Sequence, residues 1–419
     1  MHTTTSSTPA ADSGGARSAT GPLLALAIGS FGIGTTEFGP MGMLSSIAQG
    51  VDVSIPSAGL LVSAYAIGVT LGAPFMTLLL GRWSRRRALM VLMAIFTLGN
   101  LLSALAPGYA SLMVARVVTS LTHGAFFGIG AVVAASLVPP GRQASAVATM
   151  FMGLTLANIG GVPAATWLSD SVGWRQSFAA IAVLGVLAMV ALRLALPRGA
   201  ATQARTDVRA ELRVLTRPVV LLAMLTTVLS SAAMFSLYTY ITPALKSFNA
   251  ASPALITGLL ALAGVGFTIG NALGGKLADR SVDKTLMGFL LLIAASMLAF
   301  PWLAQTQVGA AVGVLVWGIG AFAVVPPIQM RVMRAAAEAP GLASSVNVGA
   351  FNLGNALGAA MGAAVLSAGL GYASVMVAGA GVAVLALLLV VWSARRGAAA
   401  QARQDAARAA QAAQVPQCC

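Results

Sequence analysis

The sequence predicts an all-α membrane protein with twelve transmembrane helices in two pseudo-symmetric bundles of six. Three observations carry that expectation. Hydrophobic residues make up 58% of the 419-residue chain and charged residues only 8%, with a mean hydropathy of +0.89. A soluble protein is about a quarter charged, so here too little polar sequence remains to coat a core, and lipid must solvate most of the surface. The apolar residues fall in long continuous runs, not in the short alternating segments of barrel strands. The basic residues gather in every second gap between those runs.

Taken in order, the first twenty residues, "MHTTTSSTPAADSGGARSAT", are small, polar and rich in Ser and Thr, and read as a disordered leader. They are not a secretory signal, because the run that follows is too long for an h-region and has no cleavage site after it. Twelve apolar segments then span about 22–46, 57–80, 88–106, 109–137, 143–167, 175–196, 218–243, 254–275, 285–304, 308–330, 341–368 and 371–394. Each approaches the roughly 20 residues a helix needs to cross a bilayer. If the N-terminus lies in the cytoplasm, only Arg116, Arg175 and Lys246 of the 24 basic residues fall outside the cytoplasmic segments. One miscounted span would destroy that asymmetry. The expectation is a multi-pass protein of the bacterial inner membrane with both termini cytoplasmic.

The longest internal gap, 197–217, is rich in Ala and Arg and divides the chain into a bundle over 21–196 and a second over 218–394, with a tail at 395–419. The halves repeat. "GVTLG" at 68–72 matches "GFTIG" at 266–270 at an offset of 198, which also sets Arg82 on Arg280. "ANIGG" (157–161) pairs more loosely with "GNALG" (354–358), and "PPGRQASAV" (139–147) with "APGLASSV" (339–346). The net charge of +14 does not indicate nucleic acid, since no basic stripe with interleaved aromatics exists. Cys418 and Cys419 are the only cysteines, so no disulfide framework or metal cluster is expected. No Walker-type sequence is present, and neither ATP nor any other cofactor is indicated.

The six-plus-six plan with a basic central loop resembles the major facilitator superfamily, and specific motifs support this. "GGKLADR", with Gly275, Asp279 and Arg280, resembles the family's G-x-x-x-D-R loop signature. The matching loop of the first half, "TLLLGRWSRRR", keeps Arg82 but has Thr77 for the first Gly, Gly81 for the Asp and Ser84 for the second Gly. The fourth span, with Arg116 followed by "HGAFFG", resembles the family's cavity-facing arginine motif. With "TTEFGPMGML" and "GLTLANIGGVPAATWL", it resembles the drug:proton antiporter branch that contains arabinose- and sugar-efflux permeases and chloramphenicol-efflux proteins. The antiporter Gly-Pro signature of span 5 is loosened here, because Val162 separates Gly161 from Pro163. The resemblance covers about residues 20–395. It implies a monomeric, proton-coupled exporter of a small organic solute, drug or sugar-like, that works by alternating access. An uptake symporter or facilitator on the same fold is the alternative, and a transport-dead sensor or a membrane enzyme are further rivals.

Glu37 is the residue that most needs explaining. A charge at the centre of a membrane helix costs about 3 kcal/mol on insertion scales. By helical rise Glu37 lies about 22 Å along span 1, and Arg116 lies about 9 Å below the same outer edge in span 4. The depths match, so a Glu37–Arg116 pair is expected, worth about 4 kcal/mol at an effective dielectric of 20. Such a pair serves either as a static packing contact or as a proton site whose carboxylate is ionised beside Arg116 and protonated away from it. The second half has no intramembrane acid, since Phe235 stands opposite Glu37 at the 198 offset. His123 follows Arg116 on nearly the same helix face, with Thr119 and Ser120 between, as a relay, a substrate contact or a structural hydrogen-bond partner. Asn158 and Asn352, with Asn347 and Asn355, either contact substrate or bond between helices. Tyr65, Tyr238 and Trp317 either stack on substrate or pack.

Overall fold

The computed structural model describes residues 19–196 and 208–413. Most of the expected leader, Arg198 and Arg205 of the central loop, and Cys418 and Cys419 lie outside those residues. The described chain is helical: α1 Thr20–Gly42, α2 Leu44–Gly50, α3 Ile55–Leu80, α4 Arg85–Ala104, α5 Tyr109–Ser136, α6 Gln143–Leu156, α7 Val162–Val172 and α8 Trp174–Ala195. It continues with α9 Val208–Leu215, α10 Pro218–Tyr238, α11 Ile241–Asn249, α12 Pro253–Arg280, α13 Val282–Leu303, α14 Gln307–Ala323, α15 Val325–Ala335, α16 Pro340–Ser367 and α17 Gly371–Ala413. A π-helical turn, Ala157–Gly161, joins α6 to α7.

Eleven of the described helical stretches are long and apolar enough to cross a membrane, with α6–α7 and α14–α15 each counting as one. Twelve were expected. The difference is α1, whose 23 residues rise about 34 Å and so suffice in length, but whose Thr35, Thr36 and Glu37 dilute its apolar character. Spans 1 and 7 also end earlier than expected. Chain turns at Met43 and Tyr240 release the short helices α2 and α11 at equivalent points of the two halves. Serine side chains start several helices: Ser54 accepts from Ser57 N–H at the head of α3, and Ser252 accepts from Leu255 N–H at the head of α12. A Ser or Thr there satisfies a backbone donor that the helix itself cannot.

The sequence repeat is reproduced in the packing. A Cβ on Gly68 would lie 1.9 Å from Ser120 Oγ, and one on Gly72 would lie 2.8 Å from Leu121 Cα. At the 198 offset, a Cβ on Gly266 would meet Leu315 O at 2.8 Å and one on Gly270 would meet Ile319 O at 2.1 Å. Small residues let two helix backbones approach where lipid offers no hydrophobic drive for association. The looser echo also has a physical basis, at an offset of 197: Gly161 abuts Thr35 as Gly358 abuts Ala232, and Gly34 abuts Ala157 as Gly354 abuts Ser231. In that register the counterpart of Glu37 is Met234, one residue from the expected Phe235. The one-residue difference between the two offsets moves the correspondence along the first helix of each half.

Helices α3, α5 and α6 of the first half meet α12, α15 and α16 of the second. Among the described residues, the hydrogen bonds between these sets lie from mid-helix toward the arginine-rich end. Thr77 Oγ1 donates to Ser345 Oγ at 2.7 Å, Asn271 Nδ2 to Ala148 O at 2.6 Å, and Thr268 Oγ1 to Thr155 Oγ1 at 3.1 Å. Asp279 accepts from Ala144 N–H at 2.8 Å and Ser145 N–H at 3.2 Å, and also from Ser145 Oγ. A carboxylate on the free N–H groups at the start of α6 is a charge-assisted cap, reinforced by the helix dipole. Replacing Asp279 with asparagine should weaken closure of this end by about 1–2 kcal/mol, roughly a 5- to 30-fold shift in population. Spin labels at Arg82→Cys and Arg280→Cys, in a Cys418→Ser, Cys419→Ser background, would read it as a longer label-to-label distance; an unchanged distance would remove Asp279 from the latch.

Candidate functional site

Above this closure the two sets of helices line a central cavity. Its walls are apolar and rich in aromatic rings, from Phe38, Phe127, Phe151, Phe235, Phe267, Phe322 and Phe351. Phe127 stacks on Phe151 at 4.9 Å between ring centroids, and Phe267 on Phe322 at 4.3 Å, so each wall is a rigid platform. The polar lining is sparse: Glu37 and His123 on one side, Asn158 on the π-helical turn, and Gln329, Asn347, Asn352 and Asn355 on the other.

Among the described residues, Glu37 is the only carboxylate that lines the cavity. Its position in α1 follows from helical rise, five residues before the last residue, Gly42, or about 8 Å. The expected direct pair with Arg116 is not formed. The nearest side-chain nitrogen of a basic residue to Glu37 is His123 Nδ1, 3.9 Å from Oε2. Arg116 turns into the first half, where Nη1 donates to Thr36 Oγ1 at 3.1 Å and the guanidinium lies 4.3 Å over the Tyr65 ring. Thr36 Oγ1 in turn donates a hydrogen bond to Asn100 Oδ1 at 2.6 Å, and Asn100 Nδ2 donates to Phe96 O at 2.9 Å. Depth alone put the two charges level; the azimuth of each side chain about its helix set the partners. The arginine thus neighbours Glu37 through Thr36, the residue before it, while Arg116 Nε and Nη2 are buried without an acceptor. That leaves donors behind the carboxyl which a turned, ionised Glu37 would satisfy.

His123 and Tyr65 do come together. Tyr65 Oη and His123 Nδ1 are 3.3 Å apart, so a line of polar groups runs from the cavity through Glu37, His123 and Tyr65 to Arg116. Thr119 and Ser120, between Arg116 and His123 in α5, spend their hydroxyls on their own helix, on Ala115 O and Val117 O. Tyr65 is buried and does not line the cavity. Tyr238 does, but Trp317 stands behind it, fully buried, stacked on Tyr238 at 6.0 Å and edge-on to Phe267. Its indole N–H has no acceptor. Trp317 is therefore packing that fixes the angle of Tyr238. Trp317→Phe should lower stability by about 1–2 kcal/mol. Asn352→Ala, which removes only a bond to Val348 O within its own helix at 3.0 Å, should change it by less than about 0.5 kcal/mol. Thermal unfolding in detergent compares the two, and equal losses would contradict this placement of Trp317.

Asn158 bonds Leu154 O at 3.0 Å and faces the cavity from the π-helical turn. Pro163 sits just beyond, in the first turn of α7, where a residue without an N–H is tolerated, and wide turns such as the one before it recur at functional sites. At the arginine-rich end Gly275 abuts Ala148, and a Cβ there would come within 2.5 Å. Arg82 and Arg280 are exposed, with no ion pair among the described residues. Sequence reasoning missed Gln329. It accepts from Asn347 Nδ2 at 2.8 Å and donates to Ser344 Oγ, and Asn347 Oδ1 in turn accepts from Thr227 Oγ1 at 2.5 Å. A glutamine in the apolar run "AVVPPIQM", two residues after a Pro pair, was the available signal. The phenylalanines carried none, because in a sequence this apolar a cavity-lining ring looks like a lipid-facing one.

The Major Facilitator Superfamily profile matches residues 26–348. The inner membrane transport protein YdhP of Escherichia coli is 68% identical over 375 residues, which cover 90% of this chain and 96% of that one. A chloramphenicol resistance protein of Streptomyces lividans is 35% identical over 350 residues, covering 82% of this chain and 89% of its own. Among solved structures, the E. coli fucose:proton symporter FucP superposes with a TM-score of 0.73 at 16% identity, over 90% of this chain and 99% of FucP, a likeness of fold.

Proposed function

Because the chain belongs to the major facilitator superfamily and is a multi-pass inner-membrane transporter rather than an enzyme, we propose that it exports a small organic solute in exchange for protons. It does so as a monomer, by alternating access. The observation that carries this is the one carboxyl that the described residues place in the central cavity, beside His123 and backed by the unsatisfied donors of Arg116. A carboxyl that faces an apolar cavity favours its neutral form, and one turned onto a guanidinium favours its charged form. Rocking of one half on the other alternates those surroundings, so proton uptake and release are tied to the two access states.

Export is favoured by the name of the Streptomyces relative, a chloramphenicol resistance protein. The positive-inside distribution sets the arginine-rich end in the cytoplasm, with the closure through Asp279 and Ser345 then on the cytoplasmic side. The cargo is drug-like more than sugar-like. A sugar presents hydroxyls around its whole rim, whereas here most of the wall is apolar, with two stacked ring pairs, and the amides cluster on α15 and α16. The cavity fits a body with an aromatic or apolar face and a few hydrogen-bonding groups along one edge.

The test uses inverted membrane vesicles with an acid interior and a panel of aromatic amphiphiles and sugars. Compounds that dissipate the gradient only when the protein is present establish exchange, and aromatic compounds should dominate the active set. Accumulation of those compounds independent of the gradient would overturn proton coupling.

A further inference from the structure

A second site lies away from the central cavity, at the arginine-rich end of the second half. Helices α10 and α13 begin there, and α15 and the membrane-crossing part of α17 end there. They leave an open groove between them. Arg331, Arg334 and Arg396 line it and, among the described residues, Asp283 is the only carboxylate, so these residues carry an excess of positive charge. Arg331 is held in place: Nη1 bonds Asp283 Oδ1 at 2.5 Å and Nη2 donates to Ser393. Arg334 and Arg396 are exposed and have no carboxylate partner among the described residues. Arg396 lies 4.1 Å over the ring of Trp392, which is itself 42% exposed.

We propose that this groove binds the headgroup of an anionic phospholipid from the leaflet at the arginine-rich end. Three features favour a lipid over a dissolved anion. The arginines stand where four apolar spans end, which is the depth of the phosphate layer. The wall just inside them is apolar and open to the bilayer, with Val219 65% exposed on the first turn of α10. Trp392 supplies the amphipathic ring that settles at the headgroup level. Basic pockets between helix ends attract anionic headgroups at about the Debye range and then hold them by direct contact. The neighbouring groove around Arg213, Arg217, Glu211 and Glu338 is charge-balanced, with Arg217 paired to Glu338, and lacks this character.

Native mass spectrometry of the full chain tests the proposal, with phosphatidylglycerol and phosphatidylcholine supplied in equal amounts. Phosphatidylglycerol should be retained at least fivefold over phosphatidylcholine. An Arg334→Gln, Arg396→Gln variant should lose that preference, and Arg82→Gln, Arg87→Gln on the other half should keep it. Equal retention of the two lipids, or an unchanged preference in the Arg334, Arg396 variant, would overturn the proposal. So would displacement of the lipid by millimolar glycerol phosphate or inorganic phosphate, which would mark a plain anion site. Should the double variant misfold, sodium chloride on the wild-type protein gives the same reading: the preference should fall as salt rises, and indifference to salt would refute a charge-held headgroup.

Discussion

Replacing Glu37 with glutamine is expected to abolish compound-driven proton movement, by at least about 100-fold, the scale on which removal of a positioned proton-transfer group acts. Glutamine keeps the shape and hydrogen-bonding capacity of a protonated carboxyl but cannot exchange a proton. The fold should survive, because Glu37 makes no close ion pair and holds no helix end; its nearest titratable neighbour is His123 at 3.9 Å. Compound binding should persist as well, since the aromatic walls and the amides of α15 and α16 are untouched. One proton crossing a potential of 100 mV yields about 2.3 kcal/mol, enough for a gradient of neutral solute of roughly 50-fold. The variant should lose that gradient and leave facilitated leak at most. The measurement is interior pH in inverted vesicles for wild type, Glu37→Gln and Glu37→Asp. Equal responses from wild type and Glu37→Gln would mean that the proton travels elsewhere and that Glu37 is a packing residue. His123→Gln separates the relay from the proton site: it should slow exchange without abolishing it.

The second large effect is expected at Gly128, where α5 of the first half meets α16 of the second. A Cβ at Gly128 would stand 1.8 Å from Ser345 Oγ and 2.6 Å from both Ser345 Cα and N. The side-chain oxygen can turn away, but the backbone atoms cannot, so any larger residue must push the helices apart. Gly128→Val should therefore block closure of the arginine-rich end and trap the transporter open on that side. Overpacking of this kind costs about 1–3 kcal/mol or more, and at 3 kcal/mol the closed state is depleted about 150-fold. Labels at Arg82→Cys and Arg280→Cys should move apart, and transport should fall with the closed population. Gly288→Val, at a position with open space around it in α13, is the control and should leave both readings unchanged. A variant at Gly128 that transports normally would show that this contact is not part of the cycle.

The two effects differ in how they were reached. Glu37 stood out in the sequence because a lone carboxylate in an apolar run needs an explanation, and Arg116 and His123 for the same reason. Gly128 did not: the chain has 46 glycines, and nothing in "HGAFFGIG" tells a glycine against the other half from one against its own. Gln329 lay between these cases, visible as a polar residue but without an assigned partner.

Composition, the recurrence of apolar runs and the placement of arginine determined by themselves that this is a membrane-spanning helical protein with a duplicated plan. They suffice because bilayer thickness fixes helix length, and because backbone groups in lipid have few ways to be satisfied. The repeat could be read at the level of single glycines, since close helix approach tolerates little else, and the packing of Gly72 and Gly270 against equivalent partners reproduces it. Depth along a helix was also legible, because rise per residue is constant. Azimuth was not. Which way Arg116 points, that it meets Thr36 and Tyr65 rather than Glu37, that Trp317 stands behind Tyr238, and which phenylalanines face the cavity were decided only in the tertiary structure. Those choices depend on how helices tilt and rotate against one another, and many apolar residues satisfy that packing equally well until all of the helices are in place.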